Sequence, residues 1–238
     1  MNIFLCGQKN FGWEVYKLLK KLDHNIVGVS APFVHADGKD DKLHKFATLD
    51  GANMIPLKGA DSLPAGVDLI IAAHSWDFIS NKTLNRTKLG AIGYHPSLLP
   101  RHRGRDAIRW ALHMGEHITG GTVYWLNQNV DAGAIAAQDW CWIRPEDTAK
   151  SLWFDTLLPM GLRLFEKTLA DIGRGELVRI PQDENLATWE PSWERAPIPR
   201  PDLLQLGGKI NGYKVITTVA DGGQNFSSPT VSLSQGIK

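Results

Sequence analysis

The chain has 238 residues, with 26 Lys and Arg against 25 Asp and Glu, so its formal net charge is +1. This length fits one domain, or one domain with a small appendage. The balanced charge gives no global attraction to nucleic acid or anionic lipid, and no apolar run is long enough to cross a bilayer. Because the first residues also lack the charged start of a signal peptide, we expect a cytoplasmic protein without membrane or nucleic-acid partners.

The first thirty residues predict a βαβ unit. Residues 3–6 form an apolar run that passes through Gly7 into a helical spacing of apolar residues ending near Leu22. A second apolar run follows over residues 25–30. This order predicts two parallel strands joined by a right-handed crossover helix.

The next part of the chain contains two further strand predictions. Residues 35–49 are polar and weakly patterned, which predicts a loop with a short helix, and residues 52–56 predict a short edge strand. The continuous apolar run over 67–73 is typical of a parallel strand buried on both faces. Residues 89–94 predict another short strand.

Helices and strands also alternate in the second half. Residues 105–114 predict a helix, and two strands are predicted over 122–126 and 134–143 with turn-forming residues between them. A long helix is predicted from 145 to 172, in which Pro159 should cause a bend or a break.

The predicted domains are a catalytic domain over residues 1–180 and a proline-rich segment over 181–238. Prolines accumulate after residue 180, which favours a chain that wraps an existing surface. One more strand is predicted over 213–219, and a short hairpin beyond about residue 206 is our candidate for a homodimer contact. The last dozen residues predict a loosely docked tail.

The predicted fold class is α/β, a Rossmann-like, mostly parallel twisted sheet with helices on both faces. Such folds bind ligands beyond the carboxyl ends of their strands. The loops after Cys6, Ala73, Tyr94 and Leu126 are therefore where we expect the chemistry.

The first of these loops does not predict a nicotinamide cofactor. Residues 7–12 lack the GxGxxG spacing that lets a pyrophosphate approach the helix, and no acidic residue ends the second predicted strand at Ser30. We therefore expect no NAD.

The loop after Tyr94 has the features of a site. The predicted strand delivers His95 to its carboxyl end, and the prolines of the segment HPSLLPRHRG restrict the loop around it. His95 and His102 are separated by prolines, so they cannot form a helical metal pair, and no cysteine or carboxylate cluster completes a zinc site. We therefore expect no metal.

Asp131 lies in the predicted turn over residues 130–133. An aspartate in a turn often bonds only its own backbone. Together with His95, however, it predicts a carboxylate and an imidazole that converge on one cleft. Such a pair favours the imidazolium and fixes its tautomer, which suits general acid and base catalysis near neutral pH.

The sequence resembles the folate-dependent formyltransferase family. The signature HPSLLP over residues 95–100, followed by Arg103-Gly104, and the D-x-G turn at Asp131 and Gly133 match the two motifs of that family. Residues 7–16 and 94–104 also resemble the hydrolase domain of the 10-formyltetrahydrofolate dehydrogenases, and the resemblance extends to about residue 195.

The resemblance implies a role for each motif. His95 would be the catalytic histidine, able to donate a proton, and Asp131 the catalytic aspartate, able to accept one directly or through water. The donor would be 10-formyltetrahydrofolate, and the acceptor an amine of a small molecule. The implied folate-binding residues are Trp76, Asp77, Phe78, Ile79, Leu98 and Val130. For Trp76 and Phe78 the alternative is ordinary packing under the loop.

One position departs from the family pattern. Most transferases of the family carry an asparagine two residues before the histidine as an oxyanion donor, whereas this chain has Gly93. This leaves open formyl transfer, hydrolysis of the same donor to formate, and folate binding without catalysis. Arg103 is either structural or a contact for an anionic acceptor. A methionyl-tRNA acceptor would call for a basic second domain, which the +1 charge does not predict.

Overall fold

The computed structural model describes residues 1–35 and 37–193, together with two short strands at Lys209–Ile210 and Tyr213–Lys214. The chain forms two compact units, Met1–Trp193 and Glu194–Lys238. The first unit reaches past residue 180, and the predicted division at that residue remains a prediction.

The described part of the first unit contains one sheet with helices packed on it. Its strands are β1 (Asn2–Gly7), β2 (Asn25–Ser30), β3 (Leu69–Ala73), β4 (Gly90–His95), β5 (Ile118–Trp125) and β6 (Ile135–Trp142). Its helices are α1 (Lys9–Lys21), α2 (Lys42–Leu49), α3 (Asn81–Leu84), α4 (Ala107–His113), α5 (Ala149–Ser151) and α6 (Leu158–Gly173).

The strand order is β2-β1-β3-β4-β5-β6. β1 pairs in parallel with β2 and β3, and β3 with β4, whereas β5 is antiparallel to both β4 and β6. The segment 126–134 between β5 and β6 is too short for a crossover helix, so the two strands form a hairpin. The prediction of a mostly parallel Rossmann-like α/β sheet is confirmed.

Alternate residues of each strand enter opposite cores. Ile3 and Leu5 of β1 belong to the apolar cluster that contains α1 and α6, whereas Phe4 and Cys6 belong to a second cluster on the other face. This period of two is what the apolar run predicts for a strand buried on both sides.

Several predicted elements differ in detail. Residues 52–56 form no strand, since Met54 makes a single bridge to Val29 of β2. The long helix begins at Ala149, after a capping box between Thr148 and Ser151.

The helix is not broken at Pro159. A π-helical turn over Leu152–Leu157 precedes α6, which starts with the proline near its first position. Because proline has no backbone N–H, the irregular hydrogen bonding lies in the turn before it.

In the second unit, β7 (Lys209–Ile210) pairs antiparallel with β8 (Tyr213–Lys214). The rest of the strand predicted over 213–219, and the predicted tail, lie outside the described residues. Over the described part of the chain, no helix has the length and apolar character needed to span a membrane.

Candidate active site

His95 is buried at the carboxyl end of β4, and one of its ring nitrogens forms a hydrogen bond to the backbone. Its Nε2 lies 2.7 Å from the carbonyl oxygen of His102. A carbonyl oxygen only accepts hydrogen bonds, so Nε2 carries the proton of that bond. Nδ1 is therefore the nitrogen that can exchange a proton, and it lies 3.5 Å from Oδ2 of Asp131.

The Asp131 carboxylate is held by two donors besides its contact with His95. The Gly104 backbone N–H donates to Oδ2 at 2.7 Å, and the Tyr124 hydroxyl donates to Oδ1 at 2.6 Å. Gly104 has φ +92, a conformation that favours glycine, so the family motif places its N–H at the aspartate. The structure thus brings the two predicted catalytic residues together.

The backbone around Asp131 is also fixed. Asp131 has φ 51, in the left-handed region that aspartate tolerates better than most residues. The Gln182 side-chain amide donates to the carbonyl oxygens of Asp131 at 2.8 Å and of Gly133 at 2.7 Å. A Cβ atom at Gly133 would lie 1.6 Å from the Trp125 carbonyl oxygen, so only glycine fits there.

The route by which Asp131 reaches His95 differs from the sequence expectation. The loop after Leu126 was expected at the carboxyl edge of the parallel strands, but β5 is antiparallel, with Trp125 opposite Ile92 in the middle of β4. The loop must therefore turn back along the sheet to bring Asp131 to the end of β4.

Arg103 has a structural role in this arrangement. Its side chain is only 3% exposed, and it donates to Gln182 Oε1 at 2.8 and 3.0 Å and to the Glu184 carboxylate at 2.8 Å. The hydrogen bonds and charge of Arg103 lower the pKa of Glu184. Next to it, the Thr188 hydroxyl accepts from the His102 N–H at 2.8 Å. The segment 182–188 is therefore tied to the loop that orients His95.

The side chains predicted to bind folate differ in their exposure to solvent. Trp76 is 72% and Phe78 78% exposed, so neither packs under its loop. Asp77 accepts a hydrogen bond from the Ser30 hydroxyl at 2.9 Å, which ties the loop to the end of β2. Ile79 is buried in the core cluster beneath the sheet, so only its backbone can face a ligand.

Val130 lies in the loop between β5 and β6, and its side chain is exposed. The Asn81 side chain donates to Gln128 at 3.3 Å, which joins this loop to the beginning of α3. Leu98 packs on β5, where a Cβ at Gly120 would lie 2.6 Å from Leu98 Cδ2. Folate binding by these residues remains a prediction.

Sequence reasoning missed Tyr124, Gln182 and Thr188. Tyr124 could have been placed on the same face as Thr122 from the alternation of β5, but no local signal shows that this face meets Asp131. Gln182 lies far along the chain from the carbonyl groups it binds, with no pattern that links them.

The Tyr124 hydroxyl stays protonated at pH values well above those at which a tyrosine ordinarily ionises. Burial, the negative charge of Asp131 and their hydrogen bond all raise the pKa of Tyr124. At neutral pH it is therefore a hydrogen-bond donor to the carboxylate.

Within residues 1–35 and 37–193, no group of three or more His, Cys, Asp or Glu side chains is placed to hold a metal ion. The expectation that no metal takes part remains a prediction.

Comparison with known proteins matches residues 59–156 to the formyl transferase family. The mitochondrial 10-formyltetrahydrofolate dehydrogenase of Mus musculus is 37% identical over 203 residues, which cover 80% of this chain and 22% of that protein. The chain thus spans about a fifth of the length of the dehydrogenases it matches. The methionyl-tRNA formyltransferase of Lactobacillus delbrueckii subsp. bulgaricus is 36% identical over 207 residues, which cover 82% of this chain and 65% of that enzyme.

Among solved structures, the N-formyltransferase from Helicobacter canadensis in complex with folinic acid and dTDP-3-aminofucose has the same fold. It aligns with a TM-score of 0.65 and 17% identity over 95% of this chain and 91% of that one. Together with the sequence motifs, the family match and the sequence relatives support a folate-dependent formyltransferase family for this chain.

Proposed function

We propose that the protein transfers the formyl group of 10-formyltetrahydrofolate to an amine of a small molecule. The observation that carries this proposal is the pair formed by His95 Nδ1 and Asp131 Oδ2, 3.5 Å apart at the end of β4. The His102 carbonyl fixes the ring so that Nδ1 faces the carboxylate. Such a pair can supply and remove protons at one reacting centre.

The proposed reaction uses both residues and restores them. The amine nitrogen attacks the formyl carbon, a C–N bond forms, and the carbonyl oxygen becomes negative. Asp131 accepts a proton from the attacking nitrogen, directly or through water. The bond between the formyl carbon and N10 then breaks, N10 takes a proton from His95, and the proton on Asp131 returns to His95.

The exposed aromatic side chains of the loop after β3 support a folate donor. Trp76 and Phe78 follow β3, and Val130 lies beside Asp131 in the loop between β5 and β6. Apolar side chains that converge with a few polar groups are typical of small-molecule sites. The solved relative from Helicobacter canadensis was crystallised with folinic acid, a formylated folate.

Hydrolysis of the same donor is the second candidate. Gly93 offers no side-chain donor to a developing oxyanion, and the dehydrogenase of Mus musculus is 37% identical. With water in place of the amine, the same proton transfers would give formate and tetrahydrofolate. The third alternative, folate binding without catalysis, is opposed by the presence of both His95 and Asp131 in contact.

We expect a small-molecule acceptor, because the net charge of +1 gives no general attraction to nucleic acid. The Helicobacter canadensis enzyme was crystallised with dTDP-3-aminofucose, a nucleotide-linked amino sugar, as well as with the folate. A cytoplasmic location, the absence of a metal or NAD, and a homodimer remain predictions.

The test is to incubate the purified protein with 10-formyltetrahydrofolate and to measure tetrahydrofolate and formate, first without any amine and then with amino sugars, nucleotide-linked amines and methionyl-tRNA. Tetrahydrofolate that forms only with a small amine, without formate, supports the transferase. Equal amounts of both products without an amine identify a hydrolase. Donor binding without turnover under every condition contradicts both.

A further inference from the structure

Gly93 and Tyr124 face each other across the pair of strands that carries the site. They are register partners in the antiparallel pairing of β4 with β5, two positions along from the pair of His95 and Thr122. Side chains of directly opposed residues lie on the same face of a sheet and in contact. Tyr124 therefore projects on the face that carries His95, opposite a residue that has no side chain.

The phenol ring of Tyr124 occupies the space beside Gly93. A Cβ atom built at Gly93 would lie 3.5 Å from both Cε1 and Oη of Tyr124, and 3.0 Å from Cδ1 of Leu126. The contacts with Tyr124 are ordinary van der Waals distances, so a longer side chain at residue 93 would compete with the phenol for space.

The hydroxyl of this ring then reaches the catalytic carboxylate. Tyr124 Oη donates to Asp131 Oδ1 at 2.6 Å, a short bond of the kind formed by ionised acceptors. Asp131 Oδ2 meets the Gly104 N–H and His95 on its other side. With a donor on each oxygen, the plane of the carboxylate is fixed relative to the imidazole.

We propose that Tyr124 is a positioning residue of this site, which uses the room left by Gly93 to hold Asp131 in register with His95. The inference rests on the proposed function, because it concerns the same pair. Without the hydroxyl, the Gly104 N–H is the remaining donor to the carboxylate, which gains freedom to rotate about its Cβ–Cγ bond and to move Oδ2 away from Nδ1.

The test is Tyr124→Phe, which removes the hydroxyl and keeps the ring. A hydrogen bond to a charged group typically contributes about 1.5–3 kcal/mol, so we expect kcat to fall about 10- to 100-fold. The KM for the folate donor should stay within about twofold, because the ring still fills its space. A KM rise with unchanged kcat would overturn the proposal.

The pH profile separates positioning from general support of the fold. His95, from β4, and Tyr124, from β5, are the titratable side chains that contact the Asp131 carboxylate among the described residues. Removal of the hydroxyl withdraws a donor from the ionised carboxylate, so the acid limb of kcat should move to higher pH. An acid limb at its original pH would contradict the assigned role.

Tyr16→Phe is the matched control. The Tyr16 hydroxyl donates to Asp50 at 2.7 Å, another hydrogen bond between a tyrosine and an aspartate, but on α1 and away from His95. We expect this variant to keep the kcat and the pH profile of the original protein. Equal losses in both variants would mean that Tyr124 acts only through stability.

A measurement without turnover keeps this inference separate from the proposed function. The nitrogen chemical shifts of the His95 ring can be compared by NMR at one pH in the original protein and in Tyr124→Phe. If Tyr124 holds the carboxylate beside the ring, its loss should change the shift of Nδ1, which faces Asp131, more than that of Nε2, which stays bonded to the His102 carbonyl. Unchanged shifts would overturn the positioning role even if no acceptor is found.

Discussion

At the scale of single residues, the site depends on which nitrogen of His95 is available. Nε2 is bonded to the His102 carbonyl and Nδ1 faces Asp131. His95→Ala and Asp131→Asn should each lower turnover about 10²- to 10⁴-fold, because each removes one partner of the proton transfer. Equilibrium binding of the folate should change little. His24→Ala, in the turn after α1, is the control, and an equal loss of turnover there would contradict the assignment.

A second residue-scale prediction concerns the glycine of the D-x-G turn. In Gly133→Ala the new methyl group meets the Trp125 carbonyl oxygen, so the loop must shift and take Asp131 with it. We expect a loss of about 1–3 kcal/mol in the free energy of unfolding, measured with urea, and a large loss of turnover. Gly173→Ala, where nothing lies within 4 Å of an added Cβ, should leave both nearly unchanged. Normal turnover in Gly133→Ala would show that the close contact is not needed.

At the scale of elements, the loop from His95 to Gly104 is held by the segment that follows residue 180. Arg103 links the two through Gln182 and Glu184. Arg103→Met should lower the free energy of unfolding by about 2–3 kcal/mol, because it leaves buried polar partners unsatisfied. It should also reduce turnover, because the loop it anchors carries the His102 carbonyl that orients His95. The exposed pair of Lys39 and Asp37 provides the control, since Lys39→Met should leave the free energy of unfolding nearly unchanged. Similar costs in the two variants would mean that Arg103 is an ordinary surface charge.

The elements also show what can be predicted from the sequence. The apolar runs of β1 and β3 were identified because both faces of these strands are buried, which leaves a continuous signal. The start of β5 was placed at residue 122, four residues too late, because Gly120 and Gly121 have low strand propensity.

Glycine is required at these two positions by close contacts with residues that are distant in the sequence. A Cβ at Gly120 would lie 2.1 Å from the Asp139 carbonyl oxygen, and one at Gly121 would lie 2.2 Å from the Tyr94 hydroxyl. His95 and Asp131 were found because motifs mark them. Tyr124 and Gln182 were not, because their partners are brought to them only by the antiparallel turn of β5 and the return of the chain after β6.

At the scale of the whole molecule, tyrosine ionisation should limit stability at high pH. Burial raises the pKa of Tyr16, Tyr94 and Tyr124 above its ordinary value. Above about pH 10 the unfolded chain loses these protons while the folded chain keeps them, so the free energy of unfolding falls as the pH rises. Tyr94→Phe should reduce this slope by an amount that approaches about 1.4 kcal/mol per pH unit, the value for one proton, near pH 11, where tyrosine in the unfolded chain is almost fully ionised. Urea unfolding between pH 9 and 11 checks this, and a slope equal to that of the original protein would contradict it.

The central claim is that His95 and Asp131 act together on a formyl group carried by a folate. The most direct measurement is a single-turnover assay, in which protein in excess of 10-formyltetrahydrofolate is followed to tetrahydrofolate with water alone and with the active amine, in the original protein and in His95→Ala. We predict complete conversion of the bound donor by the original protein with the active amine, and an intact, still bound donor in His95→Ala under the same conditions. Conversion at the same rate in both would contradict the claim.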